Sequence, residues 1–305
     1  MHICLLGDPE DLAAIYVGWI ARQSGCAVLE LPEGALGTAW EYELDDSGRG
    51  TLRVGNTEMR WETVAGVFVR MNPEPPLPPG LTLNEEHRLG FLHERREGLH
   101  QLLEHLRCAV VNRPSAGRSN ASKPYQMAEL EAAGFDVPRW IASNSAEAVR
   151  AFTTEAGGHA IYKASSGLRS RVRRVDAQLM ERLHAGSTPT VVQEYVPGID
   201  VRVHTVERCA FACAVSSEGV DYRFEHRGTC YERTSIPDGL AEQCCAFAEA
   251  SGLVLAGFDF RRTPNGEYRC LEMNPVPSFL PYEIPSGLPI GAAVVQALTR
   301  QRERS

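Results

Sequence analysis

The sequence predicts an α/β and α+β fold in three successive units, residues 1–110, 111–192 and 193–305, that leave a cleft between lobes. Three observations predict it. The first hundred residues alternate short apolar runs with a helical period. The middle unit places two helical patterns around extended segments. The last unit is a series of strand patterns with one helix among them. A chain of 305 residues, 43% hydrophobic and 23% charged, is long enough to bury several cores and is not of disordered composition.

In the first unit, HICLLG reads as a strand and DLAAIYVGWIARQSG as a helix closed near Gly25. CAVLELP and VAGVFVRMN read as further strands. The proline-rich stretch 73–80 is excluded from helix and central strand. Residues 85–106 read as a helix with Leu89, Leu92, Leu99, Leu103 and Leu106 on one side. Its histidines, His87, His93, His100 and His105, lack a metalloprotease spacing and read as solvated. In the second unit, SKPYQMAELEAAG and SAEAVRAFTTEAG are helices, the latter capped by Ser145, and HAIYKAS is a strand entering a small-residue turn. The third unit carries the strands VRVHTV, FACAVSS, VLAGFDFRR and EYRCLEMN, with a helix over about 238–251.

Composition bounds the function. The net charge of −8 argues against a nucleic-acid partner. No apolar run reaches the length of a membrane helix, and the N-terminus reads as a first strand, so a cytoplasmic protein with no membrane partner is expected. Nine cysteines in no metal or redox spacing read as reduced, buried thiols. Basic residues are 29 Arg against two Lys, Lys123 and Lys163, so lysine survives where a compact ammonium is required. One local basic run, Arg169, Arg171, Arg173 and Arg174, fits an acidic substrate or a solvated strand face.

The residues with chemistry lie in three places. In GFDFRRTPNGEYRCLEMNP, two strands flank the turn dipeptide Asn265-Gly266. Glu272 and Asn274 are two apart and share a strand face, which Asp259 of the partner strand can join. Such a hard oxygen set suits Mg²⁺, and the alternative is an exposed acidic hairpin. Lys163 precedes Ser165, Ser166 and Gly167, where backbone N–H groups and an ammonium can meet phosphates, and Lys123 opens a helix. Each lysine taken alone also fits a surface cation. In VVQEYVPGIDVRVHTV, the segment Glu194-Tyr195-Val196 offers backbone groups to an adenine edge, Asp200 to ribose hydroxyls, and Arg202 a fork to a phosphate or carboxylate. An ordinary loop is the alternative there.

These elements, in this order, resemble the ATP-grasp superfamily over roughly residues 111–300. The nearer resemblance is to its RimK-like branch, and within it to graspetide (microviridin-type) peptide ligases. It is carried by NRPSAGRSNASKPYQ, IYKASSG, VVQEYVPGIDVRV, VDYR at 220–223, LEMNP and YEIPSGLPIGAAV at 282–294. The resemblance implies an ATP-grasp fold with a small N-terminal pre-ATP-grasp domain and two lobes enclosing ATP. It implies phosphate binding by Lys123, Lys163, Ser165, Ser166 and Gly167, and adenine binding by Gln193, Glu194, Tyr195 and Val196. Asp200 would take ribose, Asp259, Glu272 and Asn274 Mg²⁺, and Arg202 and Arg223 would act in catalysis. The activity implied is ligation of a carboxylate to an amine or hydroxyl through an acyl phosphate, with a ribosomal peptide as substrate. A ligase of free amino acids or other small carboxylic acids, and a nucleotide-gated binding module, remain as alternatives. So does self-association into a homo-oligomer.

Overall fold

The computed structural model describes residues 1–72, 77–78, 80–164, 172–184, 189–217 and 228–300. Four sheets organise them. The first begins with β1 (His2–Gly7), followed by α1 (Leu12–Gln23) and β2 (Ala27–Pro32). Asp11 caps α1 by accepting from the Ala14 N–H at 2.9 Å. Three strands not expected from the sequence then form a small antiparallel sheet: β3 (Trp40–Leu44), β4 (Gly50–Val54) and β5 (Thr57–Arg60). The chain returns through β6 (Val64–Arg70), α2 (Glu85–His105) and β7 (Ala109–Val111). The resulting parallel sheet has the order β2-β1-β6-β7. Ile3, Cys4, Leu5 and Leu6 are all buried, the continuous apolar run of a strand covered on both faces. The buried seam of α2 is Leu99, Leu102, Leu103 and Leu106. This corrects the expected seam: Leu89 is exposed and Leu92 half-buried, because only the C-terminal half of α2 contributes to the core around Trp40, Leu52 and Trp61.

After a 3-10 segment, Pro114–Ala121, the second unit runs through α3 (Lys123–Ala132), β8 (Trp140–Ser143), α4 (Ala146–Glu155), β9 (Ala160–Ala164), β10 (Arg173–Arg174), α5 (Ala177–His184) and β11 (Thr190–Glu194). Ser122 and Ser145 cap α3 and α4 through their hydroxyls. The sheet order is β10-β9-β11-β8. Phe152, Leu179 and Leu183 of the two later helices pack on Tyr162 and Val192 of one sheet face. The opposite face, by strand alternation, carries Lys163 and Gln193.

The third unit is β12 (Ile199–Val206), β13 (Cys209–Ser216), β14 (Cys230–Thr234), α6 (Asp238–Ala250), β15 (Leu255–Arg262), β16 (Tyr268–Asn274), α7 (Leu280–Ser286) and α8 (Ile290–Thr299). Its antiparallel sheet has the order β14-β13-β12-β15-β16. One face is a core: Val201, Val203, Phe258, Phe260 and Met273 pack with Met127 and Leu130 of α3 and Cys244 and Ala248 of α6. Burying one such phenylalanine is worth about 3 kcal/mol. The tail α8 returns to the first sheet, where Val294, Val295 and Leu298 join Ile3, Leu5 and Phe68. All nine cysteines are free, but Cys209 and Cys230 are exposed, against the expectation that every thiol is buried. No described helix is long and apolar enough to cross a membrane.

Candidate active site

The second face of the five-stranded sheet carries the charge. The Asn265-Gly266 turn closes the β15–β16 hairpin, with Gly266 at φ 85°, a conformation open to glycine. Pairing is regular except at one bulge. Asp259 opposes Glu272 and Phe260 opposes Cys270, so Leu271 is the extra residue. The bulge sends Cys270 into the core while Glu272 and Asn274 share the face of Asp259. On neighbouring β12, Asp200 opposes Arg261 and Arg202 opposes Asp259. A row of alternating charge results: the Arg261 guanidinium is 3.1 Å from the Asp200 carboxylate, and that of Arg202 is 2.8 Å from Asp259.

The other lobe reaches this row. Lys123, the first residue of α3, holds its Nζ 3.3 Å from Glu272 Oε2. Lys163 of β9 is 4.0 Å from the same oxygen and donates to the Leu271 carbonyl at 3.3 Å. Lys163 and Arg202 are 5% and 4% exposed, so their charges act where solvent screening is weak. Ion pairs this buried contribute little net stability, but removing one partner strands the other. The lysines, far apart in sequence, thus converge on one carboxylate.

Arg202 is held on several sides. Its Nε donates to His204 Nε2 at 3.4 Å, and its Cζ lies 5.6 Å from the centroid of the Tyr282 ring. Gly257 makes room for it: a Cβ there would lie 2.2 Å from Arg202 Nη2. Burial, and after it the Arg202 charge, push His204 well below the usual imidazole range, so the ring is neutral. The sequence reading missed Gly257, His204, Tyr282 and Arg261. Gly257, Arg261 and Tyr282 lie in quoted motifs with no role given to them there, and strand alternation from Arg202 puts His204 on its face.

The expected nucleotide segment joins the two sheets. Gln193 is 1% exposed, and its Nε2 is a buried donor with no partner. Two of the neighbouring N–H groups serve the fold: Glu194 donates to the Arg139 carbonyl at 2.9 Å and Tyr195 to that of His159 at 3.0 Å. The Glu194 carboxylate is 2.9 Å from Arg139. Val196 follows, half-buried. The guanidinium of Arg174 stacks 4.8 Å from the Tyr195 ring centroid, which ties the basic run to this segment. Ser165, Ser166, Gly167, Arg223, Arg169, Arg171 and residues 73–76 and 79 lie outside the described residues.

The oxygen donors fit a hard divalent cation. Asp259 and Glu272 are opposed, and Asn274 is on the same face with its Oδ1 accepting from the Val276 N–H at 2.9 Å. A carboxylate has about four acceptor sites, so a cationic neighbour and a metal can share it. Among the described residues no group of three or more His, Cys, Asp or Glu is placed to hold a metal; beside the two carboxylates the third oxygen on this face is the Asn274 amide.

The first and second units frame the site. Asn112 spends its whole side-chain amide on the third unit, accepting from the Val254 and Leu255 N–H groups and donating to the Leu255 and Pro275 carbonyls. Arg70 pairs with Asp11 at 2.9 Å and donates to the carbonyls of Val276 and Pro277, just past β16.

Two antiparallel sheets, with lysines, an arginine and paired acids meeting on the face of one of them, complete a chain that has the fold of ATP-grasp ligases. The chain is similar over 97% of its length, and of theirs, to the ATP-grasp ligase PsnB solved with a minimal precursor (TM-score 0.81, 28% identity). It is similar to the macrocyclase MdnC from Microcystis aeruginosa MRC, bound with precursor peptide MdnA (TM-score 0.85, 21% identity, 99% of this chain and 100% of that one). A Chryseobacterium gregarium RiPP-associated ATP-grasp ligase, solved with ADP and a leader and core peptide, is similar over 100% of this chain and 98% of its own (TM-score 0.83, 17% identity). The whole chain shares its fold with these peptide-bound ATP-grasp ligases. No family model matches the sequence, and no curated protein does.

Proposed function

We propose that the protein is an ATP- and Mg²⁺-dependent ligase that forms side-chain amides or esters in a ribosomal peptide. The observation that carries this is the meeting of Lys123, Lys163 and Arg202 with Asp259 and Glu272, from both lobes, on one sheet face. The likeness to PsnB, which is solved with Mg, ADP and precursor, supports the nucleotide and peptide readings.

Lys123, Lys163 and the segment Ser165-Ser166-Gly167 bind phosphates. Gln193 and Glu194 to Val196 hold the adenine, Gln193 supplying its buried amide donor, and Asp200 takes the ribose. Asp259, Glu272 and Asn274 hold Mg²⁺, which when bound neutralises phosphate oxygens. A substrate carboxylate oxygen attacks the γ-phosphorus and ADP leaves. The peptide amine nitrogen or hydroxyl oxygen then attacks the acyl carbon, phosphate leaves, and the nucleophile loses its proton. Arg202 and the two ammonium groups offset the charge that gathers when anion meets anion. Arg223 orients the peptide, and the run from Arg169 to Arg174 draws an acidic one. Closure between the units 1–110, 111–192 and 193–305 keeps water from the acyl phosphate.

The test is intact mass of an acidic peptide carrying Asp or Glu with Lys, Ser or Thr, incubated with enzyme, ATP and Mg²⁺. A fall of one water per bond, matched by ADP and phosphate, is expected. Phosphate release with pairs of small acids and amines alone would replace the peptide reading. ATP binding with no product would replace the enzyme reading with a binding module.

A further inference from the structure

Beside Arg202 sits a residue that the ligation chemistry above does not use. His204 is 0% exposed, in the middle of β12, two residues along from Arg202 on the same face. Its Nε2 is 3.4 Å from Arg202 Nε and 3.3 Å from the Ser278 carbonyl oxygen, and its Nδ1 has no partner. The edge of its ring meets Tyr282 with centroids 5.1 Å apart.

One nitrogen cannot both accept from Arg202 and donate to Ser278. The guanidinium Nε–H is always protonated and must find an acceptor when buried. A neutral ring presents one lone pair, and a second N–H pointed at Arg202 Nε–H would repel it. The tautomer that serves the guanidinium therefore carries its proton on Nδ1 and accepts at Nε2; it leaves the Nδ1 donor unsatisfied and sets the Ser278 carbonyl oxygen beside a lone pair in place of an N–H. A phenylalanine would fill the same space among these rings without that cost. An imidazole with an unmade hydrogen bond persists where its other nitrogen is needed.

We propose that His204 is a positioning residue: it fixes the plane of the Arg202 guanidinium by accepting the Nε–H, so that the remaining N–H groups, one of them on Asp259, face the site. Fixing Nε leaves the fork only the orientation that Gly257 accommodates and the Tyr282 ring supports. Ser278 and Tyr282 both precede or lie in α7, so the tail at 278–282 packs directly on this support.

The kinetic part of the test rests on the ligase reading, and the spectroscopic part does not. With ¹⁵N-arginine-labelled full chain, the Arg202 Nε–H signal, assigned by its loss in Arg202→Lys, is expected downfield and slow to exchange in the wild type. His204→Gln, whose amide oxygen reaches the place of Nε2, keeps that signal. His204→Phe, which keeps the ring and loses the acceptor, returns it toward the solvent-exposed position. In turnover of the acidic peptide, His204→Phe lowers kcat about tenfold with KM for ATP and peptide within about twofold. His204→Gln restores most of it, and His204→Phe adds nothing in an Arg202→Lys background. A His204→Phe protein with wild-type kcat and an unmoved Arg202 signal overturns the proposal. If that variant does not fold, His204→Gln against His204→Asn decides: Asn reaches the Nδ1 position only, so equal signals and rates in the two defeat the assignment. If no variant, nor the wild type, makes product, the ligase reading has failed and the Nε–H signal still judges His204.

Discussion

The two faces of the five-stranded sheet follow opposite rules in the same strands. Along β12, Val201 and Val203 point into one apolar core, while Asp200, Arg202 and His204 alternate with them on the opposite face. Along β15, Phe258 and Phe260 alternate in the same way with Asp259 and Arg261. One face obeys packing and holds the lobe together. The other gathers charges that desolvation penalises, balanced pair by pair, beside Val206, Cys213 and Val215, which pack against the tail. A single step along a strand therefore separates a residue that serves stability from one that serves chemistry, and substitutions at neighbouring positions report the two separately.

The largest effect expected is on the charged face. Glu272→Ala should cut ligation about a thousandfold or more, read as dehydrated peptide per enzyme, in a chain that still melts cooperatively. Turnover near the wild-type rate would end the metal assignment. Next, Phe258→Ala, one residue from Asp259 but on the core face, should cost about 3–4 kcal/mol in denaturant unfolding and leave kcat per folded molecule nearly unchanged. A large kcat loss with little destabilisation would erase the division between faces. Gly257→Ala sharpens it further: the added methyl meets the Arg202 guanidinium, and kcat should fall roughly tenfold to a hundredfold with stability changed by about 1–2 kcal/mol. The smallest effect is at the rim. Replacing Arg173 and Arg174 by Ser should raise KM for an acidic peptide about twofold to fivefold at low salt and leave it unchanged at high salt, because exposed charges are screened.

Much of the charged face was legible in the sequence because its signals are local. Asn265-Gly266 marks the hairpin, a two-residue spacing puts Glu272 with Asn274, and the scarcity of lysine singles out Lys123 and Lys163. Their meeting on Glu272 is a long-range fact beyond the reach of any local pattern. What surrounds Arg202 was not legible. Gly257 matters for a side chain on the adjacent strand, and Tyr282 arrives from a helix about eighty residues away in sequence. The small sheet β3–β5 was missed although Trp40, Tyr42 and Leu44 alternate with Glu41 and Glu43, because short strands joined by charged turns give weak periodicity. On α2 the leucine spacing suggested a longer seam than the one buried, since periodicity names a face but not how much of it meets a partner.

The bulge at Leu271 has a consequence for deletions. Counting outward from it, Cys270 belongs to the core and Glu272 to the cleft, so a strand shortened by that one residue would alternate perfectly and keep both faces intact. What such a strand would lose is a carbonyl, the one that receives Lys163 from the opposite lobe. The supernumerary residue is thus dispensable to the pleat and particular to the joint between lobes. A chain lacking it should fold, yet its lobes should swing apart more readily.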